Sequence, residues 1–446
     1  MDGNSKDSML GFSPDLFEKR RKTLFNNLNN SVLLISSGSV KKRSRDTELS
    51  FRPDSDFFYL TGLCEPGCVA LLTANGSDGD LILFVPAWDP NKERWTGDRI
   101  GLDDLKEKYR ATEVYLTDQL GQYLPSLLSN AEKIYFRIGS DQQLQDLVLS
   151  SLSHSQLHQS RGSRKLEGIL DPGWLLDDMR LLKDDEELDR MKKATLITSE
   201  SFKEMMNYCK VGAGEWELEA ALEFGFRKRG ASGPAYPTIV GSGMNSCVLH
   251  YSDNSRKMEN GDLVLIDGGA EFDLYAGDIT RTFPVSGSFS VAQKSVYEVV
   301  QGAYECAINS VAPGVRIGEI HKITVRKLVD GLLELGILKG SPEEIIDKKS
   351  YETFFPHQTS HWLGLDVHDV GTYVVGDQSR VLEPNMVLTV EPGLYFPQLV
   401  DGLEEFFSIG VRIEDDLLVT DQGAEFLSSP LPVHTGEVED LVGFSR

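Results

Sequence analysis

Basic side chains are scarce in this chain. Of its 446 residues, 45 are Lys or Arg and 69 are Asp or Glu, which gives a formal net charge of −24 at pH 7. Nucleic acids and anionic membranes attract basic surfaces, so we expect neither as a partner. The chain also lacks any run of about 18 apolar residues, which argues against a membrane-spanning helix.

Cysteine is equally scarce, and its five positions are scattered along the chain. An odd, dispersed set does not indicate a disulfide framework. Cys64 and Cys68 lack the second Cys/His pair that a zinc site needs, and we interpret both as buried thiols. Residues 1–7 contain no apolar segment typical of an export signal, so a reducing cytoplasm is the expected location.

The length favours two domains, because single cores stop growing at about 250–300 residues. The first half alternates short apolar runs with helical segments, which is typical of a mixed α/β domain. The turn-rich residues 162–173 precede a charged helix predicted from about 182 to 209. We therefore place a boundary near residue 178, with domains at 1–178 and 179–446.

Patterns along the chain predict individual elements. Ser290 and Gln293 form a capping-box pattern that predicts the start of a helix running to about residue 312. The remaining predicted elements are strands at 31–36, 69–72, 81–85, 133–137, 262–267, 386–390 and 409–418, and helices at 144–157 and 317–338.

Five side chains of metal-ligand type occur in short motifs of the second half. They are Asp267 in LIDGG, Asp278 in AGDITRT, His361 in SHWLGLDVHD, Glu391 in VEPG and Glu414 in RIEDD. Taken singly, each is more often a turn, cap or core residue. All five together form an oxygen-rich set that suits two divalent ions able to activate water, and they indicate metal-assisted hydrolysis.

Local patterns predict how part of this set is built. If Phe272 and Asp273 form a hairpin turn, Asp267 falls directly opposite Asp278, and a shared cation would relieve the repulsion between them. The alternation around Arg412 and Glu414 places both on one strand face, where the arginine could orient a ligand carboxylate. A solvated ion pair is the alternative for that strand.

Three histidines accompany the ligand motifs. His250 precedes the predicted hairpin, and His357 and His368 flank His361 at spacings of four and seven. Histidine can donate to a developing oxyanion or carry protons near pH 7. The other histidines are predicted to lie at the surface or in the core: His154, His158, His321 and His434.

These motifs resemble the aminopeptidase P (Xaa-Pro aminopeptidase) branch of the creatinase-fold, or pita-bread, metallopeptidases. The similarity covers nearly the whole chain. Four segments carry it: 52–62 (RPDSDFFYLTG), 236–243 (YPTIVGSG), 275–284 (YAGDITRTFP) and 361–369 (HWLGLDVHD). The resemblance implies an α/β (α+β) architecture, with a creatinase-like N-terminal domain before a pita-bread catalytic domain.

The resemblance also implies roles for single residues. Asp278 and Glu414 would bridge two divalent ions, Mn²⁺ in the first place and Co²⁺ or Zn²⁺ as alternatives. Asp267 would complete the shell of one ion, and His361 with Glu391 that of the other. A water bridging both ions would be the nucleophile, and Glu391 would take its proton.

The remaining implied roles concern substrate and assembly. His250, His357 and His368 would bind substrate, steady the oxyanion or carry a proton to the leaving proline nitrogen. Arg412 would support the ligands, and Tyr236 would line the pocket. Trp95, and with it Arg164, would reach an active site across a subunit contact, in a homodimer or homotetramer.

One segment departs from the family pattern. Relatives commonly have a glycine after the first histidine of His-Gly-Leu-Ser-His, whereas this chain has HQTSH at 357–361, which restricts the backbone near His357.

The expected substrates are peptides with proline in second position, from which the N-terminal residue is removed. Prolidase, specific for dipeptides, is the alternative on this fold, and a catalytically inactive binding protein is a further one.

Overall fold

The computed structural model describes residues 9–75, 78–87, 101–129, 131–157, 166–427 and 431–443. Trp95 and Arg164 lie outside these ranges. The chain divides into two compact units, Met1–Arg180 and Leu181–Arg446. Among the described residues, no helix combines the length and the apolar character that crossing a membrane requires.

The first unit is built on a six-stranded mixed sheet. Its strands are β1 Val32–Ser36, β2 Val69–Asn75, β3 Asp78–Val85, β4 Glu113–Leu116, β5 Lys133–Tyr135 and β6 Gly168–Leu170. They lie in the order β4-β3-β2-β1-β5-β6, and their alternating apolar residues fill the core. The helices are Pro14–Leu28, Ser55–Thr61, Leu102–Tyr109, Leu120–Leu128, Gln142–Leu157 and Gly173–Leu181. The predicted mixed α/β architecture is confirmed.

The second unit surrounds several short antiparallel sheets with helices. Its main helices are Asp185–Met206, Glu215–Lys228, Val291–Ser310, Ile317–Glu334, Pro342–Asp347 and Thr435–Gly443. Its strands are β7 Gly233–Pro234, β8 Ile239–Ser242, β9 Leu263–Gly268, β10 Ala270–Phe272, β11 Tyr275–Ala276, β12 Ile279–Pro284, β13 Val374–Val375, β14 Gln378–Ser379, β15 Val387–Val390, β16 Gly393–Tyr395, β17 Gly410–Arg412, β18 Asp415–Thr420 and β19 Gly423–Phe426.

The capping prediction is confirmed. The Ser290 side chain accepts from the backbone N–H of Gln293, and the Gln293 side chain accepts from the Ser290 N–H, so the helix begins at Val291. The helix from Ile317 ends at Glu334 and not at 338. Gly336 follows with a φ of +73°, a left-handed conformation that terminates helices.

The predicted hairpin register is wrong by two residues. Phe272 pairs with Tyr275, so Asp273 and Leu274 form the turn, and Thr280 is the residue opposite Asp267. Both turn residues have positive φ, +49° and +72°, as a type I′ turn requires. A shift of two keeps every side chain on its predicted face, so Asp267 and Asp278 remain diagonal neighbours.

The predicted strand 409–418 is broken in two. β17 ends at Arg412 and pairs with β16, whereas β18 begins at Asp415 and pairs with β15. Glu414 lies between them and forms an isolated bridge with Thr280. The solvated alternative for this segment is wrong, because Arg412 and Glu414 are only 3% and 2% exposed.

Replacing Leu274 by glycine should stabilise the protein. A leucine at φ +72° is strained, and glycine adopts that conformation freely, so we expect the free energy of unfolding to rise by about 1 kcal/mol. Chemical denaturation measures the change. Leu274→Ala removes the same side chain but keeps the Cβ, and it should not stabilise; equal stabilisation by both variants would contradict the strain argument.

Candidate metal centre

One cavity of about 870 Å³ gathers the predicted site residues. Ten of them line it, and the eleventh, Trp95, lies outside the described part of the chain. The ten are Tyr236, His250, Asp267, Asp278, His357, His361, His368, Glu391, Arg412 and Glu414. Segments up to 178 residues apart in sequence therefore meet around one space.

Two aspartates share one tyrosine hydroxyl. The Tyr236 hydroxyl lies 2.6 Å from Asp267 Oδ1 and also contacts Asp278 Oδ1. A hydroxyl has one hydrogen to donate, so only one of these contacts can be its own donation. The other carboxylate must hold a proton or a cation. The shared contact with Tyr236 therefore shows that the two carboxylates lie close together.

Asp278 lies at an interruption between β11 and β12. Its backbone N–H donates to Asp416 Oδ2 at 3.0 Å, and Thr195 donates to the same oxygen at 2.8 Å. Gly269 makes the neighbouring approach possible, because a Cβ there would collide with the Gly277 carbonyl oxygen. The backbone of Asp278 is thus held by a buried carboxylate rather than by a regular strand ladder.

Asp278, His361 and Glu414 form a compact group of ligand-type side chains. Each offers one ligand atom, and these atoms lie within 4.8 Å of one another. His361 Nε2 also lies 3.5 Å from both Asp278 Oδ2 and Glu391 Oε1. A single cation could contact all three members of the group.

The orientation of His361 is set by the backbone. Its Nδ1 lies 3.0 Å from the Trp362 carbonyl oxygen, which can only accept a hydrogen bond, so Nδ1 carries the hydrogen. Nε2 then faces the carboxylates. A backbone carbonyl that holds the far ring nitrogen is the usual arrangement for a metal-binding histidine.

The two glutamates are held by threonines and backbone. Thr280 donates to Glu414 Oε2 at 2.5 Å. Glu391 directly follows β15, and its N–H donates to the Thr359 carbonyl oxygen at 2.8 Å. These bonds hold the Glu414 carboxylate and the Glu391 backbone in place before any ion binds.

Arg412 is bonded to Asp267 and not to Glu414, which lies two residues after it in the sequence. Its Nη2 donates to Asp267 Oδ2 at 2.5 Å, its Nε to Thr280 at 3.2 Å and its Nη1 to the Tyr395 hydroxyl at 3.0 Å. The same hydroxyl lies 2.9 Å from His357 Nε2. Tyr395, absent from our predictions, links the arginine to a predicted substrate histidine.

The electrostatics of the site favour added positive charge. Burial and the neighbouring carboxylates raise the pKa of Asp278 and Glu414, and raise the pKa of Glu391 to about 7. Burial alone would lower the pKa of His361, but its hydrogen bond with Asp278 and the charge of Glu391 raise it to about 9. These groups thus favour protons that a cation would displace.

The donor set fits divalent metal ions. Carboxylate oxygens with one imidazole suit Mn²⁺, Co²⁺ and Zn²⁺. The group Asp278–His361–Glu414 could hold one ion. Asp267 is linked to Asp278 through the Tyr236 hydroxyl, and Glu391 lies 3.5 Å from His361. The arrangement is able to support metal-assisted hydrolysis.

The remaining histidines take different positions. His250 and His368 are exposed on the cavity wall, and the His368 ring lies 4.4 Å from that of His361. Burial lowers the pKa of His357 to about 3, so this ring is neutral. His321, predicted to be an ordinary surface or core residue, also lines the cavity. It lies in a helix 40 residues before His361, and no motif around it in the sequence indicates that it belongs to the site.

Comparison with known proteins assigns the family. Residues 189–421 match the model described as "Metallopeptidase family M24", and residues 17–135 match "Aminopeptidase P, N-terminal domain". The chain belongs to metallopeptidase family M24. The resemblance carried by the sequence motifs is thereby confirmed, as is the order of its two domain types.

Members of family M24 with known activities resemble the chain over its length. It is 39% identical to the Xaa-Pro aminopeptidase of Escherichia coli over 438 residues, which is 96% of this chain and 98% of that protein. A zinc-substituted E. coli aminopeptidase P in complex with product superposes with a TM-score of 0.93, at 39% identity, over 98% of this chain and 99% of that one. The human Xaa-Pro dipeptidase is 32% identical over 95% of this chain and 91% of its own.

The metal-free protein should lose stability as pH rises from about 5 to about 9. In that window the folded state keeps protons on Glu391 and His361 that the unfolded chain has released, and a folded state that binds more protons is favoured at low pH. Thermal unfolding in chelator measures this loss, and saturating Mn²⁺ should reduce it. Glu391→Gln should weaken the pH dependence; an unchanged slope in that variant would contradict the assignment.

Proposed function

We propose that this chain is a metal-dependent Xaa-Pro aminopeptidase, which hydrolyses the bond between an N-terminal residue and a following proline. The observation that carries the proposal is the convergence of Asp267, Asp278, His361, Glu391 and Glu414 on one cavity. The full-length similarity to Xaa-Pro aminopeptidases supports the substrate class. We further propose two divalent ions, with Mn²⁺ as the native metal.

The ions, when bound by the five ligands, would polarise the scissile carbonyl and acidify a water molecule. Glu391 would accept the proton of that water on its carboxylate, which its position beside His361 supports. Arg412 and Thr280 hold the carboxylates of Asp267 and Glu414. These residues act by holding charge in place before the reaction starts.

Hydrogen bonds at both ring nitrogens fix the orientation and the tautomer of His357. Arg412 donates to the Tyr395 oxygen, Tyr395 can donate to His357 Nε2, and His357 Nδ1 faces the Gln358 carbonyl oxygen at 2.8 Å. The ring therefore carries its hydrogen on Nδ1, which lies 3.6 Å from Glu391 Oε2. The exposed His250 and His368 are left to bind substrate and to deliver a proton to the proline nitrogen.

Proline gives the reaction its need for a dedicated enzyme. The Xaa–Pro amide has no N–H, so a peptidase that relies on that donor binds it poorly. A cavity lined by several ring side chains suits the pyrrolidine ring.

Prolidase activity is the second candidate, and the similarity to human Xaa-Pro dipeptidase supports it. An inactive binding protein is the weaker alternative, since all five ligand positions retain metal-binding side chains. We propose a reducing, cytoplasmic location, which fits an odd and scattered set of five cysteines. A homodimer or homotetramer stays a prediction from the family resemblance.

Replacing Glu391 by alanine should abolish turnover and weaken metal binding, because it removes a ligand and the proposed base together. We expect less than about a tenth of wild-type kcat/KM with Ala-Pro-Ala, and a higher Mn²⁺ dissociation constant by calorimetry. Glu425→Ala, at an exposed position, is the matched control. If Glu391→Ala kept more than about a tenth of wild-type kcat/KM, Glu391 would not be the base in the reaction.

Substrate length distinguishes the two peptidase candidates. An aminopeptidase should cleave Xaa-Pro-Yaa at least as efficiently as Xaa-Pro, because the leaving chain continues beyond proline. Steady-state kinetics with Ala-Pro and Ala-Pro-Ala give the comparison directly. A clear preference for the dipeptide would identify the chain as a prolidase instead.

A further inference from the structure

One cavity histidine has no part in the chemistry proposed above. His321 lies on the helix Ile317–Glu334, and its Nδ1 is 2.9 Å from Thr359 Oγ1. Its Nε2 has no hydrogen-bond partner within the described ranges. A half-buried ring nitrogen on a cavity wall is therefore available to a ligand.

A second polar group beside it is also unsatisfied. Ser360 follows Thr359, lines the same cavity and is 9% exposed, and its Oγ has no partner among the described residues. Buried polar groups are nearly always paired, and an unpaired one costs free energy that a bound ligand can recover. Within the described part of the chain, an unbonded ring nitrogen of His321 and an unbonded hydroxyl of Ser360 line one cavity, and together they indicate a subsite.

A series of ring contacts connects the metal ligand Glu391 to His321 through His357 and Phe355. His357 Nδ1 is 3.6 Å from Glu391, the His357 ring is 4.7 Å from that of Phe355, and the Phe355 ring is 5.9 Å from that of His321. An extended peptide advances about 3.3–3.6 Å per residue. Among the described residues, His321 makes no hydrogen bond to a metal ligand, and we infer that a main-chain group that reaches it belongs to a residue away from the scissile bond.

Only on the leaving side of the scissile bond does the substrate have a residue that is not itself part of that bond. An aminopeptidase substrate ends one residue before that bond, whereas the chain continues after proline. The charged residues that line the cavity are Asp267, Asp278, Glu391, Arg412 and Glu414, all of them in the metal centre. Among the described residues, the three members of the subsite (His321, Thr359 and Ser360) carry no fixed charge, and a backbone amide is the matching partner.

We propose that His321, with Thr359 and Ser360, forms a subsite that hydrogen-bonds the main-chain carbonyl of the residue after proline, a group that a substrate ending in prolinamide lacks. This inference rests on the proposed function and deepens it, because such a subsite serves a peptide longer than two residues. His321 is then a specificity-determining residue, and it acts on binding of the leaving chain.

The test compares two amidated substrates on the Mn²⁺-loaded enzyme, Ala-Pro-amide and Ala-Pro-Ala-amide, which differ only in the third residue. In His321→Leu, we expect the ratio of kcat/KM for the longer to the shorter substrate to fall by about three- to tenfold, mainly through KM. His321→Gln keeps a hydrogen-bonding group and should restore most of the ratio. His434→Leu, at an exposed histidine, should leave the ratio unchanged.

Other outcomes overturn the proposal in distinct ways. An unchanged ratio in His321→Leu contradicts the subsite. If the loss in that variant instead varies with the first residue of the substrate, for example Leu or Gln in place of Ala, then His321 contacts the side chain of that first residue. A wild-type enzyme that cleaves neither substrate overturns the proposed function as well. Inhibition of the wild type by Pro-Ala-amide and by prolinamide needs no variant: tighter inhibition by the former supports the proposal, and equal inhibition contradicts it.

Discussion

Repulsion among four clustered carboxylates is the constraint on which the catalytic unit depends. Asp267, Asp278, Glu391 and Glu414 line one cavity, where water cannot screen their charges fully. Arg412 and a protonated His361 offset only part of this charge. Assembling such a cluster costs folding free energy, and a bound cation or proton offsets that cost.

The surrounding structure holds this cluster in place. Arg281 lies on β12 beside Thr280 and bonds both oxygens of Asp415, which adjoins Glu414. Asp416, the next residue, accepts from Thr195 of the helix Asp185–Met206 and from the Asp278 backbone. The positions of the ligands therefore depend on a second layer of buried charge, which couples two strands and a long helix to the site.

Much of the site could be predicted from the sequence because each ligand lies in a local motif. The hairpin around Asp273 shows what local patterns miss: a positive φ is unusual for a leucine, so the sequence predicts the turn at Phe272 and Asp273, one residue before its position in the structure. The error did not disturb the chemistry, since a shift of two residues in the pairing preserves the face. The break at Glu414 arises from tertiary pairing with Thr280, which no local pattern indicates.

Residues that act through tertiary contacts were harder to find. Tyr395 joins Arg412 to His357, and His321 approaches Thr359 from a separate helix; neither lies in a motif that resembles a metal site. The missing glycine in HQTSH, which could have disturbed His357, leaves that ring on the cavity wall with two hydrogen-bond partners.

The number of metal ions per chain tests the central claim most directly. Equilibrium dialysis against Mn²⁺ followed by elemental analysis counts them in the wild type and in Asp278→Asn, which alters the carboxylate shared by the proposed pair. The account predicts two ions per chain in the wild type and fewer in the variant. A wild-type chain that binds none, or a variant that still binds both with unchanged affinity, would contradict it.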